Sequence, residues 1–192
     1  MGEIAFPVKN IKWKNETGVY KYIDLSSVTR DTHSIEETIE ISATTAPGRA
    51  QQIVNENDVL FGGTRPMLKR FCLVPKEYSN QICSTGFCVL RANEKFALSK
   101  WIYYNLGTKN FYKHVEKHQA GTSYPAISDA DVKSYCIPLP PLAEQERIVK
   151  ILDRFESLCN DISSGLPAEI KMRIKQYEFY RDKLLAFKEK AN

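Results

Sequence analysis

A proline-rich segment followed by two long helical patterns constrains this chain more than any other feature. Pro138, Pro140 and Pro141 have no backbone N–H to donate, so this segment is extended and a helix is predicted to begin at about Leu142. From there apolar residues recur at three- and four-residue steps, which is typical of an amphipathic helix. They are Ile148, Ile151, Leu152, Phe155, Leu158, Cys159 and Ile162.

A short break separates this helix from a second one. Ser163, Ser164 and Gly165 suit the end of the first helix, and Pro167 suits the first turn of the next. The second helix is predicted from Ala168 to about Lys190, and at ~1.5 Å per residue it spans roughly 35 Å, which is typical of a spacer. Its apolar residues have the spacing of a coiled-coil seam: Ile170, Ile174, Tyr177, Tyr180, Leu184 and Phe187.

The residues before the prolines predict a compact mixture of strands and helices. Short apolar or alternating runs bounded by Gly and Pro indicate strands at 19–25, 36–41, 59–61, 70–74 and 82–90. From Ala97 the apolar period becomes helical, and Gly107 divides that part into two short helices. A chain of 192 residues holds one core-bearing domain and an extension. We therefore expect an α+β fold with a domain over 1–137 and a helical extension over 138–192.

The composition is ordinary for a soluble protein. Hydrophobic residues make up 43% and charged residues 26% of the chain. We find no apolar run near the ~20 residues of a membrane helix, and the first residues lack the basic and apolar regions of a signal peptide. We therefore expect a cytoplasmic protein with no membrane partner.

The distribution of basic residues matters more than the formal net charge of +4. Within residues 44–76 the acidic residues are only Glu56 and Asp58, and the basic ones are Arg49, Arg65, Lys69, Arg70 and Lys76. This excess favours an anionic partner, and the alternative is a set of solvated loop charges.

Five cysteines argue against a disulfide framework and for reduced, buried thiols. Cys83 and Cys88 with His114 and His118 form a C-x4-C and H-x3-H pattern that a zinc site could use. The two pairs are too far apart for a simple finger, however, and both cysteines lie in a strand-like run. We therefore expect core cysteines and no metal site.

Motifs of common catalytic sites are missing from the sequence. It contains no G-x-x-x-x-G-K-[ST] phosphate loop, no G-x-S-x-G nucleophile turn and no H-E-x-x-H zinc helix. We therefore expect binding rather than catalysis and assign no catalytic residue. A distant alternative is an enzyme in which Cys83 or Cys88 acts as nucleophile and His114 as base.

Two segments resemble a known family. The run Ile137-Pro-Leu-Pro-Pro-Leu-Ala-Glu-Gln-Glu-Arg-Ile-Val-Lys-Ile-Leu-Asp153 and the run Tyr177-Glu-Phe-Tyr-Arg-Asp-Lys-Leu-Leu-Ala-Phe187 resemble the conserved helical region of specificity subunits of type I restriction-modification systems. The turn over 121–128 also resembles the turn that closes a target recognition domain in that family. The usual member has two recognition domains and two helical spacers, whereas this chain has one of each.

The resemblance implies a division of labour between subunits. Residues 1–137 would form a target recognition domain, called the recognition domain below, and 138–192 a spacer and dimerisation region, called the arm. The chain would be a non-catalytic specificity subunit that directs an adenine-N6 methyltransferase and a restriction subunit to a bipartite DNA target. The expected partners are double-stranded DNA, methyltransferase (modification) subunits, a restriction subunit and a second copy. S-adenosylmethionine, ATP and Mg²⁺ would be bound by the partner subunits, and no cofactor by this chain.

Three loops carry the residue types that recognise DNA. Arg pairs with guanine and Gln with adenine in the major groove, and small residues allow a close approach to phosphates. The resemblance supports these loops, because similar strings occur in some recognition domains of the family. Alternatives are an Arg65–Asp58 ion pair and packing of Tyr124 on the arm. The candidates are Arg49, Gln51 and Gln52 in residues 44–52; Thr64, Arg65, Lys69 and Arg70 in 62–70; and Thr122, Ser123 and Tyr124 in 121–124.

A single recognition domain predicts a homodimer formed through the second helix. Two copies joined by antiparallel helices would hold their half-sites about one turn of B-DNA apart, so the target would be a split palindrome. The alternative is that this chain is half of a longer subunit that recognises an asymmetric target.

Overall fold

The computed structural model describes residues 1–161 and 167–187, with side chains described except at 159–161 and 167–171. Eight strands and five α-helices lie in this part of the chain. The strands are β1 (Ala5–Phe6), β2 (Tyr20–Ile23), β3 (Ile39–Ile41), β4 (Ala50–Val54), β5 (Val59–Gly62), β6 (Phe71–Leu73), β7 (Gln81–Ser84) and β8 (Phe87–Ala92). The helices are α1 (Ser99–Leu106), α2 (Lys109–His118), α3 (Asp129–Ser134), α4 (Leu142–Asp161) and α5 (Pro167–Leu184).

The strands form two four-stranded sheets, ordered β1-β8-β5-β6 and β3-β2-β7-β4. Their pairs are antiparallel except for the parallel pair of β2 and β7. The expected mixed fold of a recognition domain with a helical region is therefore confirmed.

The prediction of one strand over residues 82–90 is wrong, because the chain changes sheets inside this run. Ser84 ends β7, Phe87 begins β8, and the Ser84 hydroxyl accepts the Gly86 N–H at 3.2 Å. A Cβ at Gly86 would lie 2.8 Å from the Leu25 side chain, so any other residue would require Leu25 to move. The sequence pattern does not show this turn, because the strands on both sides of it are buried and therefore mainly apolar.

Strand β4 is a second difference, since the predicted loop of residues 44–52 includes its first three residues, 50–52. Gln52 lies in this strand opposite Cys83 of β7, and the register shifts between Ala50 and Gln52. Polar residues at both Gln51 and Gln52 obscure the alternation of a half-buried strand, so local pattern does not show the element.

Helix α1 is buried on nearly all sides. Trp101, Ile102, Tyr104 and Leu106 are inaccessible to solvent because the sheet containing β5, β6 and β8 covers one side and the arm covers another. Its polar side chains have partners: Lys100 pairs with Asp153, and Asn105 donates to the Trp101 carbonyl.

Helix α4, the first helix of the arm, begins at Leu142, as predicted, and its first turns join the core of the recognition domain. Ile148, Val149 and Leu152 belong to the same buried cluster as Trp101. The boundary between residues 137 and 138 therefore stays a prediction, since the recognition domain and the arm share one hydrophobic core.

Helix α5 ends at Leu184, so the prediction of helix beyond this residue is wrong for 185–187. Leu185 is buried in the core, and the Phe187 ring centroid lies 6.0 Å from that of Trp101. These contacts with the recognition domain replace further helical turns. Residues 188–190, the predicted break at Ser163, Ser164 and Gly165, and the Ile170 side chain lie outside the described residues.

Candidate nucleic-acid interface

Two of the three predicted loops meet at Arg65 and Tyr124. The Arg65 guanidinium carbon lies 4.2 Å from the centroid of the Tyr124 ring, and the Arg65 N–H donates to the Pro125 carbonyl at 2.7 Å. Thr64 and Ala126 also form a β-bridge. Tyr124 is 69% exposed, so it lies under Arg65 at the surface instead of packing on the arm. This cation–π contact restrains an exposed guanidinium at the ring face.

Asp58, the proposed alternative partner of Arg65, pairs with another residue. Its carboxylate is buried and contacts Arg91, with Nη2–Oδ2 and Nε–Oδ1 distances of 2.7 and 2.8 Å. The Asp58 carboxylate is therefore paired with Arg91, and the Arg65 guanidinium contacts the Tyr124 ring instead.

A tight turn projects the cations of residues 62–70. Pro66–Leu68 form a single 3₁₀ turn between Arg65 at φ 48° and Lys69 at φ 56°, both left-handed. Non-glycine residues seldom adopt this conformation, which costs about 1–2 kcal/mol per residue, and its occurrence is enriched at functional sites. Arg65 and Lys69 are both exposed, and the Lys69 ammonium lies 5.0 Å from the centroid of the Tyr112 ring.

The turn between β7 and β8 joins the first and second loops, and the second loop in turn contacts the residues that follow the third. The Gly63 N–H donates to the Gly86 carbonyl at 2.8 Å, and the Gly63 carbonyl accepts the Ile127 N–H at 2.9 Å. On the other side, the Thr85 N–H donates to the Arg49 carbonyl at 2.9 Å. A Cβ at Gly63 would lie 3.1 Å from the Ile127 carbonyl oxygen, so glycine permits this close approach.

We define the loop surface as Arg49, Thr64, Arg65, Lys69, Thr85, Thr122, Ser123 and Tyr124. Thr85 is exposed and was missed by the sequence analysis. The Ser-Thr-Gly string between two apolar runs is the signal that could have found it, because small polar residues next to glycine are typical of a turn.

Three of the predicted DNA-binding side chains bond instead to the protein's own carbonyls. Gln52 Nε2 donates to Ser84 and Phe87 at 3.0 and 2.9 Å, and Gln51 Nε2 donates to Gly48 at 2.7 Å. Arg70 Nη1 donates to the carbonyls of Leu25 and Val28 at 2.8 and 2.7 Å. These contacts give Gln52 and Arg70 a positioning role, whereas the loop surface presents Arg49, Arg65 and Lys69.

A neutral histidine lies beside Lys69. The His33 ring stacks on Phe71 with centroids 3.9 Å apart, and its Nδ1 has no hydrogen-bond partner among the described residues. Burial lowers the pKa of His33 to about 4, and the charges of Arg181 and Lys69 act in the same direction. His33 therefore adds no positive charge at neutral pH.

The zinc hypothesis gains no support from the geometry. Cys83 and Cys88 are buried in different core clusters, and His114 Nε2 lies 2.8 Å from the Asp131 carbonyl. No group of three or more His, Cys, Asp and Glu among the described residues could hold a metal ion. Burial raises the pKa of both thiols, and a buried protonated thiol is a poor nucleophile, so the Cys/His enzyme is not favoured either.

The predicted dimerisation residues do not share one free face. Tyr177 and Leu184 pack against the core of their own chain, and Phe187 contacts Trp101 outside the helix. Ile174 and Tyr180 are exposed, although the Tyr180 ring also stacks at 6.0 Å on Phe155 of α4. Glu144 and Leu185 line one groove, which shows that α4 and α5 run antiparallel within the chain. Further exposed apolar side chains on these helices are Leu158, Met172 and Phe179.

The fold is a two-sheet domain followed by a helical arm, and its loop surface presents residue types that commonly contact DNA. The family model described as the type I restriction modification DNA specificity domain matches residues 4–172. The chain therefore belongs to this family. No α-helix in the described part of the chain has the length and hydrophobicity to cross a membrane.

Similar proteins carry the same description. The chain is 43% identical over 90 residues to the EcoR124I/EcoR124II specificity subunit of Escherichia coli, which is 47% of this chain and 22% of that protein. It is 41% identical over 96 residues to a putative type I specificity subunit of Haemophilus influenzae, which is 50% of this chain and 23% of that protein. The chain thus matches less than a quarter of either relative.

Solved structures extend the similarity to most of the chain. The crystal structure of the HsdS subunit from Thermoanaerobacter tengcongensis matches with a TM-score of 0.75 and 38% identity, over 85% of this chain and 42% of that one. A structure described as the basis of complex assembly and conformational transition of the type I R-M system matches with a TM-score of 0.77 and 37% identity, over 84% and 42%. This chain therefore spans less than half of both.

Proposed function

We propose that this chain is the DNA-recognition subunit of a type I restriction-modification complex and that it recognises a short half-site through the loop surface. The observation that carries the proposal is the meeting of Arg65 with Tyr124 on a turn tied to the other loops. An arginine whose guanidinium plane is held by an aromatic ring suits bidentate hydrogen bonding to guanine O6 and N7.

The other groups of the loop surface have complementary roles. Arg49 and Lys69 supply positive charge to phosphates, which gives affinity without sequence information. The hydroxyls of Thr64, Thr85, Thr122 and Ser123 donate and accept hydrogen bonds with either phosphates or base edges. Gln52 and Arg70 hold the loops from inside the domain.

The chemistry is assigned to partner subunits. A methyltransferase subunit binds S-adenosylmethionine and methylates adenine at N6, and a restriction subunit uses ATP and Mg²⁺ to cut unmodified DNA. Family membership supports this assignment. The polypeptide described here supplies specificity and no catalytic group.

The test is a selection from a random library of DNA duplexes with the full chain, followed by titration of the selected duplex. Replacing Arg65 by Ala weakens binding by about 10- to 100-fold and relaxes the preference at one base pair, because one good bidentate pair contributes ~1–3 kcal/mol. Lys76→Ala is the control, since Lys76 is exposed beyond the opposite end of β6 from Arg70. It leaves both the affinity and the preference unchanged.

The two possible failures are distinct. If the wild-type chain binds selected and scrambled duplexes equally at physiological salt, the proposed function is wrong. If Arg65→Ala weakens binding to both duplexes by the same factor, Arg65 contacts only phosphates and its base-recognition role is wrong.

A further inference from the structure

Helix α1 holds the root of the arm through a cluster of polar contacts. Tyr103 Oη donates to Glu156 Oε1 at 2.9 Å, and Tyr104 Oη lies 2.5 Å from Asp153 Oδ1 and 3.0 Å from Glu156 Oε2. Lys100 Nζ donates to Asp153 Oδ2 at 2.7 Å. One eight-residue helix of the recognition domain thus contacts two carboxylates of α4.

The chemistry of this cluster favours a fixed geometry. Tyr104 is 1% exposed, and burial raises the pKa of both tyrosines well above the usual value, so their hydroxyls remain donors. Hydrogen bonds to a carboxylate are short and directional, and low local polarity strengthens them. By contrast, the apolar contacts of Ile148 and Leu152 are non-directional and restrain the tilt of α4 less sharply.

The same tyrosines connect this root to the loop surface. Phe71 follows Arg70 at the end of the second loop and begins β6. Its ring centroid lies 5.4 Å from that of Tyr103, whose hydroxyl binds α4. Two side-chain contacts, from Phe71 to Tyr103 and from Tyr103 to Glu156, therefore link the end of the second loop to the arm.

We propose that Tyr103 and Tyr104 are positioning residues that fix the angle between the recognition domain and the arm, and thereby set the gap between the two half-sites of the target. The effect on the gap rests on the proposed function, whereas the positioning role does not. Helix α4 has 20 residues. A rotation of about 10° at the root of a helix of this length, ~30 Å, moves its tip by roughly 5 Å, more than the ~3.4 Å rise of one base pair.

The first test measures the angle without DNA. Spin labels at Lys117→Cys on α2 and Arg154→Cys on α4 report one distance across the root, because both side chains are exposed. The labelled chain is mixed with an excess of unlabelled chain, so that distances between the labels of two copies do not contribute. The full chain carries them in a Cys136→Ser/Cys159→Ser background. The remaining cysteines are buried with raised thiol pKa values and do not react with the label.

The variant is the pair Tyr103→Phe and Tyr104→Phe, which removes two hydroxyls and keeps both rings. The matched control is Tyr112→Phe on α2, a buried tyrosine whose hydroxyl has no hydrogen-bond partner among the described residues. We expect the distance distribution of the paired variant to broaden about twofold or to shift, since the directional contacts are lost. The control and the unsubstituted chain keep one narrow distribution.

The second test measures the gap. Duplexes carrying the selected half-sites with the gap lengthened or shortened by one base pair are compared with the selected gap. We expect the preference for the selected gap to fall about tenfold in the paired variant, equivalent to about 1.4 kcal/mol, and to be unchanged in Tyr112→Phe.

The outcomes separate the two proposals. An unchanged distance distribution in the paired variant overturns the positioning role, whatever happens at DNA. A broadened distribution with an unchanged gap preference overturns the link to target spacing. If the paired variant does not fold, Tyr104→Phe alone is measured against the same control and judged in the same way. Absence of sequence preference in the unsubstituted chain is the failure of the proposed function and leaves the distance test decisive for the inference.

Discussion

Arg65 and Arg70 belong to one loop and use their guanidinium groups differently. Arg65 is exposed and stacks on Tyr124, whereas Arg70 donates into the protein to the carbonyls of Leu25 and Val28. The difference follows from which groups surround each side chain, since the residue type and the loop are the same. A basic loop therefore contains both residues available to DNA and residues that give the loop its shape.

His33 makes the stability of this region depend on pH. Its pKa of about 4 in the folded chain lies below the ordinary 6.5, so folding favours the neutral ring. The stabilisation is complete above pH 6.5 and is lost as the pH falls from 6.5 towards 4. At pH 4.5 the loss from this group amounts to roughly 2–3 kcal/mol.

The measurement is urea unfolding at pH 7.5 and 4.5, for the wild-type chain and for His33→Asn. Asn has no group that titrates here and tolerates the left-handed φ of 51° at this position. We expect the wild-type chain to lose more unfolding free energy than the variant between the two pH values. Equal losses in both proteins would show that His33 is not responsible.

At the scale of elements, Gln145 explains how a proline-rich segment leads into α4. Its side chain is completely buried, and Oε1 accepts the Leu98 N–H at 3.0 Å. Nε2 donates to the carbonyls of Phe96 and Pro140 at 2.8 and 2.9 Å. One amide thus joins the start of α1, the proline segment and the first turns of the arm.

Replacing Gln145 by Leu removes this amide at similar volume. Three partly buried backbone groups then lose their partner, and we expect the free energy of unfolding to fall by about 2–4 kcal/mol. The control is Glu146→Gln, because Glu146 is exposed and its ion pair is with exposed Lys150. It changes stability by less than about 0.5 kcal/mol. Chemical denaturation measures both, and a small effect of Gln145→Leu would contradict the anchoring role.

At the scale of the whole molecule, one part of the arm packs against its own chain. Leu152 and Leu185 lie in the core that α1 shares with the first sheet, so the ends of α4 and α5 near the recognition domain form one body with it. Farther out, Leu158, Met172 and Phe179 are exposed, and Phe179 is 60% accessible. In the predicted homodimer, we expect a second copy of the chain to cover these side chains.

Light scattering on the purified chain tests this arrangement. We expect the wild-type chain to have twice the mass of a single chain at micromolar concentration, and Phe179→Asp to shift it to the single mass because a charge would be buried at the interface. Phe96→Asp is the control, since Phe96 is also exposed but belongs to the recognition domain. A wild-type chain of single mass would contradict the homodimer and favour pairing with a different half.

Some of these features follow from neighbouring residues and were predictable. The start of α4 at Leu142 depends on nearby prolines and a helical period, and the loop of residues 62–70 depends on its own Gly and Pro residues. The mixed fold follows from the same local patterns. The presence of Arg65, Lys69 and Tyr124 on exposed loops was predictable for this reason as well.

Other features depend on residues that are distant along the chain. The division of residues 82–90 between two sheets, the strand formed by Gln51 and Gln52, and the end of α5 at Leu184 follow from contacts with Leu25, Cys83 and Trp101. Likewise, a guanidinium points outward or inward according to whether a ring or a carbonyl lies within reach. Such contacts exist only once the sheets and the arm have come together, because local periodicity carries no information about them.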